Sequence, residues 1–246
     1  MSIIDDRGYN QGFKPSPSLT VRNQLRVAHL LRGIGIDARP QRLLEIGCGT
    51  GEYAELLARH PNVSVLGTDI CQPFIDYAQR TYAGANIQFA CFDFTDSAAV
   101  TAHVGIQRFD GVVGNGILHH MYYHLDDVLA HIRGLLLPGG KIAFMEPNLY
   151  NPYIAAIFQI PVLRRWAKLE PSEMAFSRHF IVSALTRAGF HDIQVEYRDF
   201  LVPGTPQACI APLVAVGGLL EQMPGINMLA QSLLIVARNP LEKSRS

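Results

Sequence analysis

Three glycines stand in the run Gly47-Cys48-Gly49-Thr50-Gly51, directly after the apolar stretch RLLEI and directly before a helical pattern. Such a run lets the backbone turn tightly and approach a ligand closely, and the free N–H groups at the following helix start favour polar or anionic ligand atoms. The order is GxGxG, with Glu52 where the dinucleotide fingerprint GxGxxG has its third glycine. A carboxylate there repels a pyrophosphate, so NAD is disfavoured. Asp69, 18 positions after Gly51, ends a second predicted strand, where an acid accepts hydrogen bonds from ribose hydroxyls. Asp93, followed by Phe94, ends a third; its carboxylate can accept from an adenine amino group while the ring packs on the base. Glu45 is a charge inside an apolar strand, costly unless it meets donors or a cation such as an amino group. Together these residues ask for an adenosine carrying an amino acid rather than a phosphate.

A second group of reactive side chains follows. His119 and His120 come after a fourth predicted strand, and Glu146 ends a fifth. A positioned base accelerates proton transfer by roughly 10²–10⁴-fold, and one of the two histidines is the candidate for it. Adjacent residues point in different directions, so at most one takes that role, and structural or pocket-lining roles stand beside this reading. His120 and His124 are spaced i, i+4 and could hold a metal with Asp127, but the set is read as helix-start residues and no metal is expected. Arg178 and His179 open the last major helix, where they contact substrate or simply cap and solvate. Tyr150 and Trp166 lie in an insertion, with packing and recognition both open to them.

The elements that must position these groups alternate. An N-terminal helix is predicted from the spacing of Leu19, Arg22, Leu25, Arg26 and Leu30. From Arg42 the pattern becomes strand then helix: RLLEIG, a helix over Glu52 to His60, VSVLGTD, a helix over Pro73 to Tyr82, then NIQFACFD and FDGVVGNG. That rhythm implies a parallel sheet. Leu125, Val128, Leu129, Ile132, Leu135 and Leu136 mark the clearest amphipathic helix, and Pro138-Gly139-Gly140 turns it into the strand KIAFMEP. A helix over Phe180 to Ala188, then DIQVEY and SLLIVAR, close the chain. Two segments break the rhythm: 148–177, with the apolar helix candidate YIAAIFQIPVLRRW, and 200–230, in which only Glu221 is charged. The first is read as a lid, the second as a pocket wall before a homodimer contact or a membrane contact.

The strings LLEIGCGTGEY, the acid in LGTDI, FACFDF, GVVGNGILHHM and LLPGGKIAFMEPN resemble, in order, the motifs of class I S-adenosylmethionine-dependent methyltransferases of the small-molecule type. The resemblance covers about residues 40 to 150. It implies an α/β fold: a Rossmann-like, doubly wound seven-stranded sheet of order 3-2-1-4-5-7-6, the last strand antiparallel, with helical lid insertions. The implied cofactor is S-adenosyl-L-methionine, laid over the carboxyl ends of the first strands. Residue by residue, the resemblance puts Gly47, Cys48, Gly49 and Gly51 under the methionine part, Asp69 with Ile70 at the ribose, Asp93 and Phe94 at the adenine, and Asn115 at the amino-acid end. Tyr9 in RGYN and Arg22 resemble upstream residues that cover the cofactor and its carboxylate. An insertion after the fifth strand lies over the substrate cleft in this fold, so Glu146, Tyr150, Arg178 and His179 are candidate substrate contacts.

Composition narrows the field. Lys plus Arg and Asp plus Glu are both 21, so no basic excess suits nucleic acid, and Asn115-Gly116-Ile117-Leu118 is not the D/N-P-P-Y tetrad of amino-group nucleic-acid methylases. Charged residues make up 17% and hydrophobic residues 48%, which excludes disorder. Four cysteines without a CxxC pair point to reduced thiols and a cytoplasmic setting, and an N-terminus with acids in place of bases is not a secretory signal. The apolar run from Ala208 to Leu220 is broken by Pro212 and Gly217-Gly218 and falls short of the roughly 20 residues that span a bilayer. The expectation is a single methyltransferase domain over 1–246: helical cover 1–40, cofactor core 41–147, lid 148–177, and C-terminal part 178–246. It transfers a methyl group to an O or C atom of a largely apolar or aromatic small molecule. The alternatives are a cofactor-binding relative without transfer activity and a peripheral enzyme acting on a membrane-dissolved, quinone-like substrate.

Overall fold

Leu43, Leu44, Glu45 and Ile46 are buried in succession along β1 (Gln41–Ile46), the pattern of a strand covered on both faces. The computed structural model describes residues 16–241. In it β1 lies inside a seven-stranded sheet of order β3-β2-β1-β4-β5-β7-β6. Its partners are β2 (Val63–Asp69), β3 (Ile87–Cys91), β4 (Phe109–Asn115), β5 (Leu136–Pro147), β6 (His191–Arg198) and β7 (Ser232–Arg238). The first five run parallel, and β7 is antiparallel to both its neighbours. Order and polarity are those the motifs implied.

Alternation along the strands sends successive side chains to two cores. On one face Leu43, Val65, Val113 and Ala143 meet Val27, Leu30, Leu57 and Ile75, from α1 (Pro17–Ile34), α2 (Glu52–Ala58) and α3 (Gln72–Tyr82). On the other, Leu44, Val112, Ile142 and Phe144 meet side chains of α4 (Ser97–Val104), α5 (Leu125–Leu135) and α8 (Arg178–Arg187). The N-terminal helix has a different buried stripe from the one expected: Val27, Leu30 and Ile34 face the sheet, while Leu25 is exposed. Helix α4 was not anticipated, because its alanine-rich sequence has almost no amphipathic period. The expected helix after β5 is two short ones, α6 (Pro152–Gln159) and α7 (Pro161–Trp166), since the residue before Pro161 is driven to an extended conformation.

The nearly uncharged stretch 200–230 corrects a further expectation. Its centre is helix α9 (Gln207–Leu220), of which only Ile210 and Gly217 are buried. Leu213, Val216 and Leu219 are exposed, so this is not chiefly a pocket wall. No helix among the described residues is long and apolar enough to cross a membrane.

What ties α1 over the carboxyl edge of the sheet is a buried charge cluster. Asp199 accepts from Arg22 Nε at 2.6 Å and Arg26 Nη2 at 2.5 Å. Arg26 also donates to Asn115 Oδ1 and Ser232 Oγ, both at 2.7 Å. Burial, then the neighbouring Arg26, pulls the Arg22 guanidinium down to about 10, so both arginines stay charged at neutral pH and need Asp199. Asp199→Asn keeps the shape and suits the positive φ of 81° at this position. It leaves two buried guanidinium groups without a counter-charge, so the unfolding free energy falls by about 3–5 kcal/mol in urea titrations with an unchanged m-value.

Candidate active site

Because β1, β2, β4 and β5 run parallel, their carboxyl ends share one edge, and the chemistry-bearing side chains gather there. After β1 the chain turns through Gly47, Gly49 and Gly51, all at positive φ. A Cβ on Gly47 would meet the Ile117 side chain at 2.6 Å, whereas one on Gly49 would meet nothing within 4 Å. The loop is therefore packed on one side and open on the other. Asp69 holds it in place, accepting from the Gly49 N–H and the Cys71 N–H, each at 2.9 Å.

Glu45 is only 2% exposed, and its Oε2 has no hydrogen-bond partner among the described residues. Burial first, then the Asp69 and Glu52 carboxylates, pushes its pKa from 4.5 up to about 8. A buried acid held neutral beside an open glycine turn fits a ligand ammonium group. The same burial, with Glu45 and Asp69 nearby, pushes the Cys48 thiol well up, so Cys48 packs rather than reacts.

The adenosine end is more open. Ile70 is an exposed apolar side chain next to Asp69. Asp93 Oδ1 accepts from the Thr95 N–H at 2.8 Å and the Thr95 hydroxyl at 2.7 Å. Phe94 is buried, its ring centroid 6.3 Å from that of Phe92 in the core. Packing thus commits that ring to the interior, and Ile70 is the apolar side chain offered to solvent. Arg22, expected at a cofactor carboxylate, is instead paired with Asp199, and Arg26, one turn on, is the guanidinium bonded to Asn115. Tyr9 lies outside the described residues.

Across the same edge stands the histidine group. Glu146, at the end of β5, is fully enclosed. Its Oε1 accepts from the N–H groups of Ile117 at 3.0 Å and Leu118 at 2.8 Å, and its Oε2 from the His119 N–H at 3.3 Å. These donors open the 3₁₀ turn Leu118–His124. The same Oε2 lies 2.9 Å from His119 Nδ1. Glu146 is thus bound to the protein itself rather than presented to a substrate. His120 is partly exposed, and its Nδ1 lies 3.3 Å from Oε1 of Glu173, a buried acid from the segment between α7 and α8. Tyr150, Arg178 and His179 are not drawn into this cluster: Arg178 and His179 are exposed on the first turn of α8, and Tyr150 and Arg178 act electrostatically on Tyr197. Three residues escaped the sequence reading: Arg26, Asp199 and Glu173. Each works through a partner far along the chain, which no local spacing reveals.

Residues 44–142 match the family described as a methyltransferase domain. Over those residues the chain is similar to methyltransferases. An uncharacterized methyltransferase of Mycobacterium tuberculosis is 36% identical over 115 residues, 45% of this chain and 54% of that protein, so the match spans about half the relative's length. An O-methyltransferase of Aspergillus nomiae is 29% identical over 164 residues, 61% of this chain and 71% of the relative. Among solved structures, the carbon methyltransferase CurJ superposes with a TM-score of 0.61 at 22% identity, covering 94% of this chain and 57% of that one. The N-methyltransferase NodS of Bradyrhizobium japonicum, in complex with S-adenosyl-L-homocysteine, superposes with a TM-score of 0.58 at 18% identity, covering 97% and 95%. At such identities these two likenesses show the methyltransferase fold.

The raised pKa of Glu45 makes stability depend on pH. Unfolded, this carboxyl ionises near 4.5; folded, it stays protonated up to about 8, so stability is lost as pH rises between those values. Glu45→Gln removes the penalty: the cofactor-free variant gains about 3 kcal/mol over the parent at pH 7 and converges with it near pH 4.5, measured by denaturation across pH.

Proposed function

We propose that this domain transfers a methyl group from S-adenosyl-L-methionine to an oxygen or carbon atom of a largely apolar small molecule, with His119 as the base. One observation carries the reading: the buried His119–Glu146 pair lies on the same sheet edge as the open glycine turn and the stranded Glu45 carboxylate. Glu45 suits the cofactor's ammonium, the turn at Gly49 its methionine chain, and Asp69 its ribose. The cofactor supplies an electrophilic methyl group on a sulfonium.

Glu146 accepts from Nδ1–H of His119, which fixes the tautomer and leaves Nε2 free to take a proton from the acceptor's O–H or acidic C–H. The carboxylate then stabilises the imidazolium, while three backbone N–H groups keep Glu146 from swinging away. Near-complete burial of both side chains excludes water. A neutral amine acceptor has less need of such a base, and the relative named O-methyltransferase agrees with an oxygen acceptor. The segment 148–177, which brings Glu173 to the histidines, acts as the lid. Four free cysteines fit a reducing cytoplasm, and balanced charge fits a small-molecule substrate rather than nucleic acid. Exposed Val162 and Trp166 on α7 and the apolar face of α9 favour a second reading, a peripheral enzyme drawing its acceptor from a membrane. Failure to co-sediment with liposomes counts against it.

His119→Ala lowers turnover by about 10²–10⁴-fold on a panel of phenols and acidic-carbon carbonyl compounds with methyl-labelled cofactor, while S-adenosylhomocysteine still binds. Asp69→Ala weakens that binding by about 1.5–3 kcal/mol in calorimetry. Binding without labelled product from any acceptor would indicate a relative that keeps the cofactor and lacks the transfer.

A further inference from the structure

We infer that His119, His120 and Glu173 form a binding site for a divalent transition-metal ion of the zinc class, which pins the lid to the end of β4. One donor atom from each residue lies within 4.8 Å of the others. His119 Nε2 stands 3.9 Å from Glu173 Oε2, and His120 Nδ1 stands 3.3 Å from Glu173 Oε1. Two ligand atoms each about 2.0–2.1 Å from one tetrahedral ion are roughly 3.4 Å apart; the 3.3 Å separation meets this, and the 3.9 Å separation, to the other carboxylate oxygen, needs a shift of about half an ångström to do so. The 3.9 Å gap is too long for a hydrogen bond.

The donor set points the same way. Two imidazoles and one carboxylate, with a fourth position open, is the ligand type of zinc sites that keep a free coordination place. Ligating histidines hold their other ring nitrogen against a carboxylate or carbonyl, and His119 Nδ1 does so with Glu146 at 2.9 Å, turning the Nε2 lone pair toward Glu173. The lid side is preorganised as well. Arg164 donates to the carbonyls of Phe158 and Glu170, both at 2.7 Å, and of Glu173 at 3.1 Å. The Met174 N–H donates to the His119 carbonyl at 3.2 Å. Backbone contacts therefore hold Glu173 against the histidines. Glu173 is 0% exposed and His120 remains partly open, so an ion has a sheltered seat and a way in.

This site uses the nitrogen assigned above as the base, and in that respect rests on the proposed function. An ion on Nε2 excludes a proton from it, so metal occupancy and methyl transfer compete. Binding itself is read without turnover, which separates failure of this inference from failure of the functional reading.

The test uses the full chain, stripped with a chelator and titrated with CoCl₂. The expected result is one saturable site per chain with the visible absorption of tetrahedral Co²⁺, bleached by Zn²⁺. His120→Ala and Glu173→Gln each weaken it by about tenfold or more, with S-adenosylhomocysteine binding retained as evidence of folding. Methyl transfer by the parent protein falls in step with Zn²⁺ occupancy. Absence of a saturable signal, or a signal that persists in both variants, overturns the site. Full turnover at saturating Zn²⁺ overturns the place of Nε2 in it.

Discussion

The turn that follows β1 is the constraint from which the rest of the site derives. Gly47 has no room for a side chain against Ile117 and sits at a backbone angle that side chains disfavour, so the chain can only leave the sheet here as glycine. The Asp69 carboxylate then sets the loop from the neighbouring strand by taking the Gly49 N–H. With the loop so placed, Glu45 is sealed beneath it, and the face above Gly49 stays clear. Position, burial and emptiness at this edge all come from one tight turn between two buried parallel strands.

Two enclosed glutamates on that edge behave differently because the backbone treats them differently. Glu146 receives three N–H groups and an imidazole, and its charge is compensated by the chain itself. Among the described residues Glu45 lacks a partner for one oxygen, and it shifts toward its neutral form. The first carboxylate orients a neighbour; the second is the one that the proposed function sets against a ligand cation. Equal burial with unequal hydrogen-bond supply separates a positioning role from a binding role.

Charge also organises what lies over the edge. The Arg22–Arg26–Asp199 cluster fastens α1 and reaches Asn115 and Ser232, so the N-terminal helix is tied to the ends of β4 and β7 at once. From the opposite side the segment after α7, braced by Arg164, delivers Glu173. By contrast α9 contributes little to the core and leaves a row of apolar side chains toward solvent.

Much of this was legible from residue order alone. The alternating strand and helix patterns implied a parallel sheet, and the resemblance of the motifs implied the order of its strands; the GxGxG turn and the acids at successive strand ends gather on one edge because a parallel sheet converts position along each strand into position on a common rim. The buried charge at Glu45 could be suspected from a single carboxylate in an apolar run. What only the tertiary structure decided was which groups meet. Asp199 closes on arginines more than 170 positions away, and Glu173 reaches histidines more than 50 positions before it. The Phe94 ring turns into the core, and α9 leaves its apolar face outside. Local periodicity records which face of an element is apolar; it carries no record of which distant side chain that face will find, since that is settled by packing of the whole chain.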